Sequence, residues 1–161
     1  MRPLAYRRAD VVTANTVGVL KALELMGVSE RLALLPNPLP GAPAPAVDRG
    51  TANATGFISV ARLVPQKGLD VLIAALPRLS GAAAAWPVTL VGDGPERDRL
   101  QAQAKDLGVS DQLRCLGFRS DPERFLAEAA VFVLPSRFEG MPNALLEAMA
   151  CLLYTSPSPR D

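Results

Sequence analysis

Between residues 57 and 150, short apolar runs alternate with helix-forming stretches, and no other feature limits the fold of this chain as much. FISVARL (57–63) has the character of a strand and residues 68–79 that of a helix. VTLVG (88–92) is a second strand, followed by a helix over 95–107 that Gly108 closes. LRCLGF (113–118) is a third, followed by a helix over 122–130 with Asp121 as N-cap and Pro122 at its first position. VFVLP (131–135) is the fourth, and the helix after it carries Glu147. Strands that are apolar along their whole length are buried on both faces, and helical crossovers between them make the sheet parallel with right-handed connections. The expected fold class is α/β, a parallel sheet with flanking helices.

A smaller β-α-β pattern precedes this region. ADVVTAN (9–15) and RLALLPN (31–37) read as strands. VGVLKALELMG (17–27) reads as a helix, with Val17, Leu20, Leu23 and Leu25 at helical spacing and Gly27 as its C-cap. Residues 36–45, PNPLPGAPAP, hold five prolines and one glycine, which marks a stiff, extended linker. The expected organisation is a first piece over 1–37, a linker over 38–55 and a main domain over 56–150.

Several function classes are set aside by what the chain contains. A net charge of +1 gives no broad nucleic-acid footprint. The chain has no histidine, so Ser-His-Asp and Cys-His nucleophile systems are missing within it, as is the commonest metal ligand. No metal site is expected. Cys115 and Cys151 do not make a disulfide scaffold, and Cys115 reads as a filler of strand volume. No apolar run approaches the roughly 18 residues that span a bilayer. The opening MRPLAYRRADVV lacks the apolar core of a signal peptide, and a reducing cytoplasm is the expected compartment.

Chemistry concentrates after the strands, where α/β proteins bind ligands. Arg62 and Lys67 follow the first strand, in a loop with Pro65 and Gly68. Cations there suit a diphosphate, whose charge they neutralise through charge-assisted hydrogen bonds. Gly92 and Gly94 sit in a tight strand-to-helix turn, which can hold phosphate or serve as a plain βα turn. Arg97 and Arg99 in the helix beyond read as solvated charges. Glu139 and Glu147 lie eight positions apart in SRFEGMPNALLEAMA (136–150), one at the mouth of a helix and one about two turns along on a similar face. Pro142 fits the first turn of that helix, and ALLEAMA (144–150) is apolar enough to be buried, so a carboxylate on it needs a partner.

EGMPNALLE (139–147) resembles the glutamate–seven–glutamate motif of family 4 retaining glycosyltransferases, which have the GT-B fold of two Rossmann-like domains. ISVARLVPQKGLDVLI (58–73), VTLVGDGPERDRL (88–100) and LRCLGFRSD (113–121) occur in the order and spacing of that family's donor-binding domain. The resemblance implies a sugar moved from a nucleotide-diphosphate donor to an acceptor hydroxyl with retention, in polysaccharide or glycoconjugate synthesis. It implies that Arg62 and Lys67 hold the diphosphate. Glu147 would accept the ribose hydroxyls, and Glu139, the candidate catalytic residue, would contact the transferred sugar. Backbone N–H groups of Met141, Pro142's neighbours, Asn143 and Ala144 would face the diphosphate, with Gly140 allowing close approach. Gly92, Gly94 and Phe118 would border the donor, Phe118 either near the base or in the core. Met141-Pro142-Asn143 departs from the glycine-rich form of many members and matches a variant found among enzymes of surface polysaccharides. No cofactor beyond the donor is implied. The acceptor would be a glycan or lipid-linked, with peripheral association at the inner membrane; Arg2, Arg7 and Arg8 are too few to argue this alone.

The last residues fit this pattern poorly. CLLYTSPSPRD (151–161) resembles a translated sequencing adapter, with a natural tail as the alternative. The expectation is therefore a fragment: a remnant of an acceptor domain and an incomplete donor domain, inactive by itself. Its fourth strand would be an unpaired edge that lowers solubility. A sugar-nucleotide epimerase of similar fold and a non-catalytic nucleotide-binding fragment are the alternative readings.

Overall fold

The computed structural model describes residues 6, 8–28, 31–38, 55–151 and 154–155. All but the ends of the expected linker, and most of 152–161, lie outside the described residues, as do Arg2 and Arg7. The chain divides into two compact units. One comprises Met1–Leu39 with Glu139–Asn143, the other Pro40–Phe138 with Ala144–Asp161.

In the smaller unit, strand β1 (Val12–Ala14) pairs in parallel with β2 (Leu32–Leu34), and helix α1 (Val17–Leu25) connects them. Thr16 caps α1, its hydroxyl accepting from the Val19 N–H at 3.2 Å. At the other end the Gly27 N–H donates to Glu24 and the Val28 N–H to Leu23, which closes the helix as the sequence predicts. Val12, Ala14, Leu23 and Val28 form the buried cluster, with Leu20 packed against it. Leu25, expected on the same face, is 90% exposed and Val17 is exposed too. Two residues beyond Leu23 is about 200° around a helix, so Leu25 points away from the face that Leu20 and Leu23 share.

The larger unit holds strands β3 (Phe57–Val60), β4 (Val88–Val91), β5 (Leu113–Gly117), β6 (Val131–Phe132) and β7 (Tyr154–Thr155), all parallel, in the order β5-β4-β3-β6-β7. Helices α2 (Leu69–Ala75), α3 (Arg97–Asp106), α4 (Pro122–Glu128) and α5 (Asn143–Ala150) follow β3, β4, β5 and β6. Both faces are covered. Val88 and Leu90 of β4 pack with Leu69 and Ile73 of α2 and Leu100 and Ala104 of α3. Ile58, Val91 and Phe132 pack on the opposite side with Leu126 of α4 and Ala148 of α5. Alternate residues of one strand thus serve two cores, which is why these strands are apolar throughout.

Element boundaries depart from expectation in several places. α2 stops at Ala75 and passes into a 3₁₀ turn, Leu76–Arg78, because Pro77 has no N–H with which to continue it. α3 begins at Arg97, and α4 ends at Glu128. Asp121 stands at the cap of α4, but its side chain makes no capping bond; its carbonyl accepts from Arg124 instead. Strand β6 is not an edge: β7 pairs along its outer side, Val131 opposite Tyr154 and Phe132 opposite Thr155. Among the described residues, no helix is long and apolar enough to cross a membrane.

Candidate functional site

The chain runs from β3 to β4 to β5 in one direction across the sheet, then returns to place β6 on the other side of β3. The connections leaving β3 and β6 therefore diverge to opposite faces. The crevice beyond the carboxyl ends of two such strands is where open α/β sheets take ligands. Arg62 lies exposed on the loop after β3, with Lys67 half-buried at its far end.

That loop is fixed from the β4 side. The Ala61 N–H donates to Val91 at 3.0 Å, the Leu63 N–H to Asp93 at 2.9 Å, and the Glu96 N–H back to Leu63 at 3.0 Å. The approach is so close that only glycine fits opposite. A Cβ on Gly92 would lie 2.0 Å from the Ala61 carbonyl oxygen, and one on Gly94 2.4 Å from that of Leu63. Backbone contact beneath Arg62 thus accounts for both glycines. Arg97 is not a free surface charge: it pairs with Asp93 at 3.6 Å and donates to the Cys115 carbonyl at 3.3 Å. Arg99 pairs with Glu96. Burial pushes the Cys115 thiol up, opposed by the Arg97 charge, as suits a volume-filling cysteine.

From the β6 side the same loop is clamped by residues 135–138. Gly68, left-handed at φ 63°, separates the 3₁₀ turn Pro65–Lys67 from α2, and a Cβ on it would stand 2.0 Å from the Pro135 carbonyl oxygen. The Gln66 carbonyl accepts from the Arg137 N–H at 2.8 Å, and the Gln66 side-chain amide donates to Phe138 at 3.0 Å. The Arg137 guanidinium reaches the Pro65 carbonyl and both carboxylate oxygens of Asp70, at 3.0 and 2.7 Å. Its hydrogen bonds hold the Asp70 carboxyl below its ordinary value, against a weaker opposing effect of burial. Sequence reasoning missed Gln66, Asp70 and Arg137. Their types are ordinary, and the partners lie 67 to 72 residues apart.

The remaining sequence-predicted residues fall into both units. Glu147 and Ala144 belong to the larger one, on α5, where Ala148 is buried and Ala144 and Leu145 pack with it. Glu147 is half-buried and Met149 is 55% exposed, so this helix is less enclosed than its composition suggests. Phe118, beyond β5, is 76% exposed and has no core role. Glu139, Gly140, Met141, Pro142 and Asn143 belong to the smaller unit. α5 begins at Asn143, so Pro142 precedes the helix rather than entering its first turn. Glu139 lies four residues before the helix, so loop geometry, and not helical spacing, sets its position relative to Glu147. Within the smaller unit, Asn37 reaches Met141 and Asn143, and Asn15 lies against Gly140. Among the described residues, no three acidic or cysteine side chains gather in a metal-holding group.

A parallel sheet covered on both faces, with Arg62 and Lys67 on the loop beyond β3 and Glu147 on the helix after β6, defines an α/β domain of the Rossmann-like kind. Residues 52–155 match the family described as glycosyl transferases group 1, and the chain belongs to that family. It is 36% identical over 149 residues to the lipopolysaccharide core biosynthesis glycosyltransferase LpsE of Rhizobium meliloti, covering 90% of this chain and 43% of LpsE. It is 30% identical over 152 residues to N-acetylgalactosamine-N,N'-diacetylbacillosaminyl-diphospho-undecaprenol 4-alpha-N-acetylgalactosaminyltransferase of Campylobacter jejuni, covering 92% and 41%. The chain thus spans somewhat under half the length of these relatives. Among solved structures, Anabaena HepE in complex with UDP-glucose superposes with a TM-score of 0.80 at 27% identity, covering 95% of this chain and 46% of HepE. The apo lipopolysaccharide outer core galactosyltransferase WaaB gives 0.71 at 26% identity, covering 94% and 45%. These structural neighbours are GT-B glycosyltransferases, and the α/β fold expected from sequence is the one observed.

Proposed function

We infer that this chain carries the donor-binding part of a retaining family 4 glycosyltransferase, which moves a sugar from a nucleotide diphosphate to an acceptor hydroxyl in polysaccharide or lipopolysaccharide synthesis. The observation that carries the reading is the loop bearing Arg62 and Lys67 at the strand-order reversal between β3 and β6, braced on both sides by backbone contact. Cations held there neutralise the diphosphate as it departs, which stabilises the transition state more than the ground state. Glu147 accepts the ribose hydroxyls, and Glu139 orients the transferred sugar. Donor positioning supplies much of the rate, because it removes the entropy of bringing sugar and acceptor together. The UDP-glucose held by the Anabaena neighbour supports a nucleotide-sugar donor. The diphospho-undecaprenol substrate named for the Campylobacter relative supports a lipid-linked acceptor and work at the cytoplasmic membrane surface. No cofactor beyond the donor is required.

Calorimetry of the whole chain with UDP, GDP and ADP tests this. One of the three binds at millimolar affinity or better, and Arg62→Ala or Glu147→Ala weakens it about tenfold, as expected for a lost hydrogen bond to a charged group. Binding indifferent to both substitutions refutes the assignment.

A further inference from the structure

We propose that Asn37 is a positioning residue that sets the conformation of the Glu139–Asn143 segment for a diphosphate, an inference that rests on the donor reading above. Asn37 follows β2 and uses every polar group of its side chain. Its amide Nδ2 donates to the Met141 carbonyl at 3.1 Å and to the Asn143 Oδ1 at 2.6 Å. Its Oδ1 accepts from the Asn15 Nδ2 at 3.3 Å, and its backbone N–H points at the Met141 sulfur at 3.3 Å. Asn15 follows β1 and lies 3.6 Å from where a Cβ on Gly140 would stand. The ends of both strands of the smaller unit thus grip one short segment.

The grip has a chemical sense. The first N–H groups of a helix have no partner within it and suit an anion, whereas a carbonyl turned toward an anion repels it. Asn37 engages the Met141 carbonyl, so that oxygen is held in a hydrogen bond and its repulsion of a nearby anion is reduced. It also engages the Asn143 amide oxygen, which fixes that side chain at the first residue of α5. Pro142 between them has no N–H and adds stiffness. Asn37 touches no reacting atom in this account; it acts through the backbone it holds.

The test uses the whole chain and the nucleoside diphosphate among UDP, GDP and ADP that binds it most tightly, alongside its parent nucleoside, titrated by NMR. Asn37→Ala weakens the diphosphate about tenfold, the sum of two ordinary hydrogen bonds, and leaves the nucleoside within about twofold. Amide signals of Gly140, Met141 and Asn143 shift and broaden in the same variant. Asn15→Ala, which removes the support of Asn37 and the contact with Gly140, weakens the diphosphate about threefold; it carries the test should Asn37→Ala fail to fold. Unchanged diphosphate affinity in both variants, while Arg62→Ala still weakens binding about tenfold, overturns the role of Asn37 and leaves the donor reading standing. An equal loss for nucleoside and diphosphate also overturns it, since a merely structural residue would act on both. Indifference of wild-type binding to Arg62→Ala and Glu147→Ala removes the donor reading and this inference with it.

Discussion

Asp70 and Arg137 join the loop that follows β3 to the one that follows β6. Asp70 also stands in the first turn of α2, where a negative charge suits the helix dipole. Because Arg137 lowers the Asp70 carboxyl in the folded state, the pair contributes fully above the ordinary carboxyl value of 3.8. That contribution is lost as pH falls through the lowered folded value. Asp70→Asn keeps the shape and removes the charge. It should lower the melting temperature by about 2 °C at neutral pH, a modest figure because the pair is partly exposed, and by nothing in strong acid. Trp86 fluorescence reports the transition, since this ring lies 5.4 Å from that of Phe57 in β3. A difference that persists undiminished in acid contradicts the assignment. At this scale the sequence singled out candidates whose type and motif speak together, such as Arg62 and Glu147. It hid Asp70 and Arg137, because a pair bridging 67 positions leaves no local pattern.

Among the elements, the sharpest constraint is where one loop's backbone lies on another's. Gly68 and Gly108 both have positive φ, at 63° and 69°. Gly108 closes α3 with open space around it, whereas Gly68 is pressed against the Pro135 carbonyl. Gly108→Ala should therefore cost only the left-handed conformation, about 1 kcal/mol. Gly68→Ala adds displacement of a backbone carbonyl, and about 3 kcal/mol or more is expected. Denaturant midpoints compare the two, and an equal cost would deny the close packing of the β3 and β6 loops. Helix and strand types were legible because apolar runs and caps act within a few residues. Their ends were less so: Pro77 shortened α2, while Asp121 stood at a cap position without capping. The flanking packing decides whether a favourable local group is used.

The molecule as a whole is uneven in its core. The smaller unit rests on a cluster of Val12, Ala14, Leu23 and Val28, whereas the larger has separate clusters on both sheet faces. Local opening costs less where fewer apolar side chains are buried. Amides of β1, α1 and β2 should exchange with solvent at least about tenfold faster than those of β3 and β4, and equal protection would contradict this. The amino-acid sequence by itself determined that strands would be parallel and doubly covered. Periodicity and crossover length are local properties that sum along the chain, and the motif order carried the family. Only the tertiary structure decided the strand order that reverses between β3 and β6, the addition of β7 beyond β6, and the bracing of the Arg62 loop from two sides. It also decided that Asn15 and Asn37 would grip the Glu139–Asn143 segment. Each of these joins residues distant in sequence, and such meetings are settled by packing and backbone hydrogen bonding across the folded chain, which no single stretch of sequence encodes.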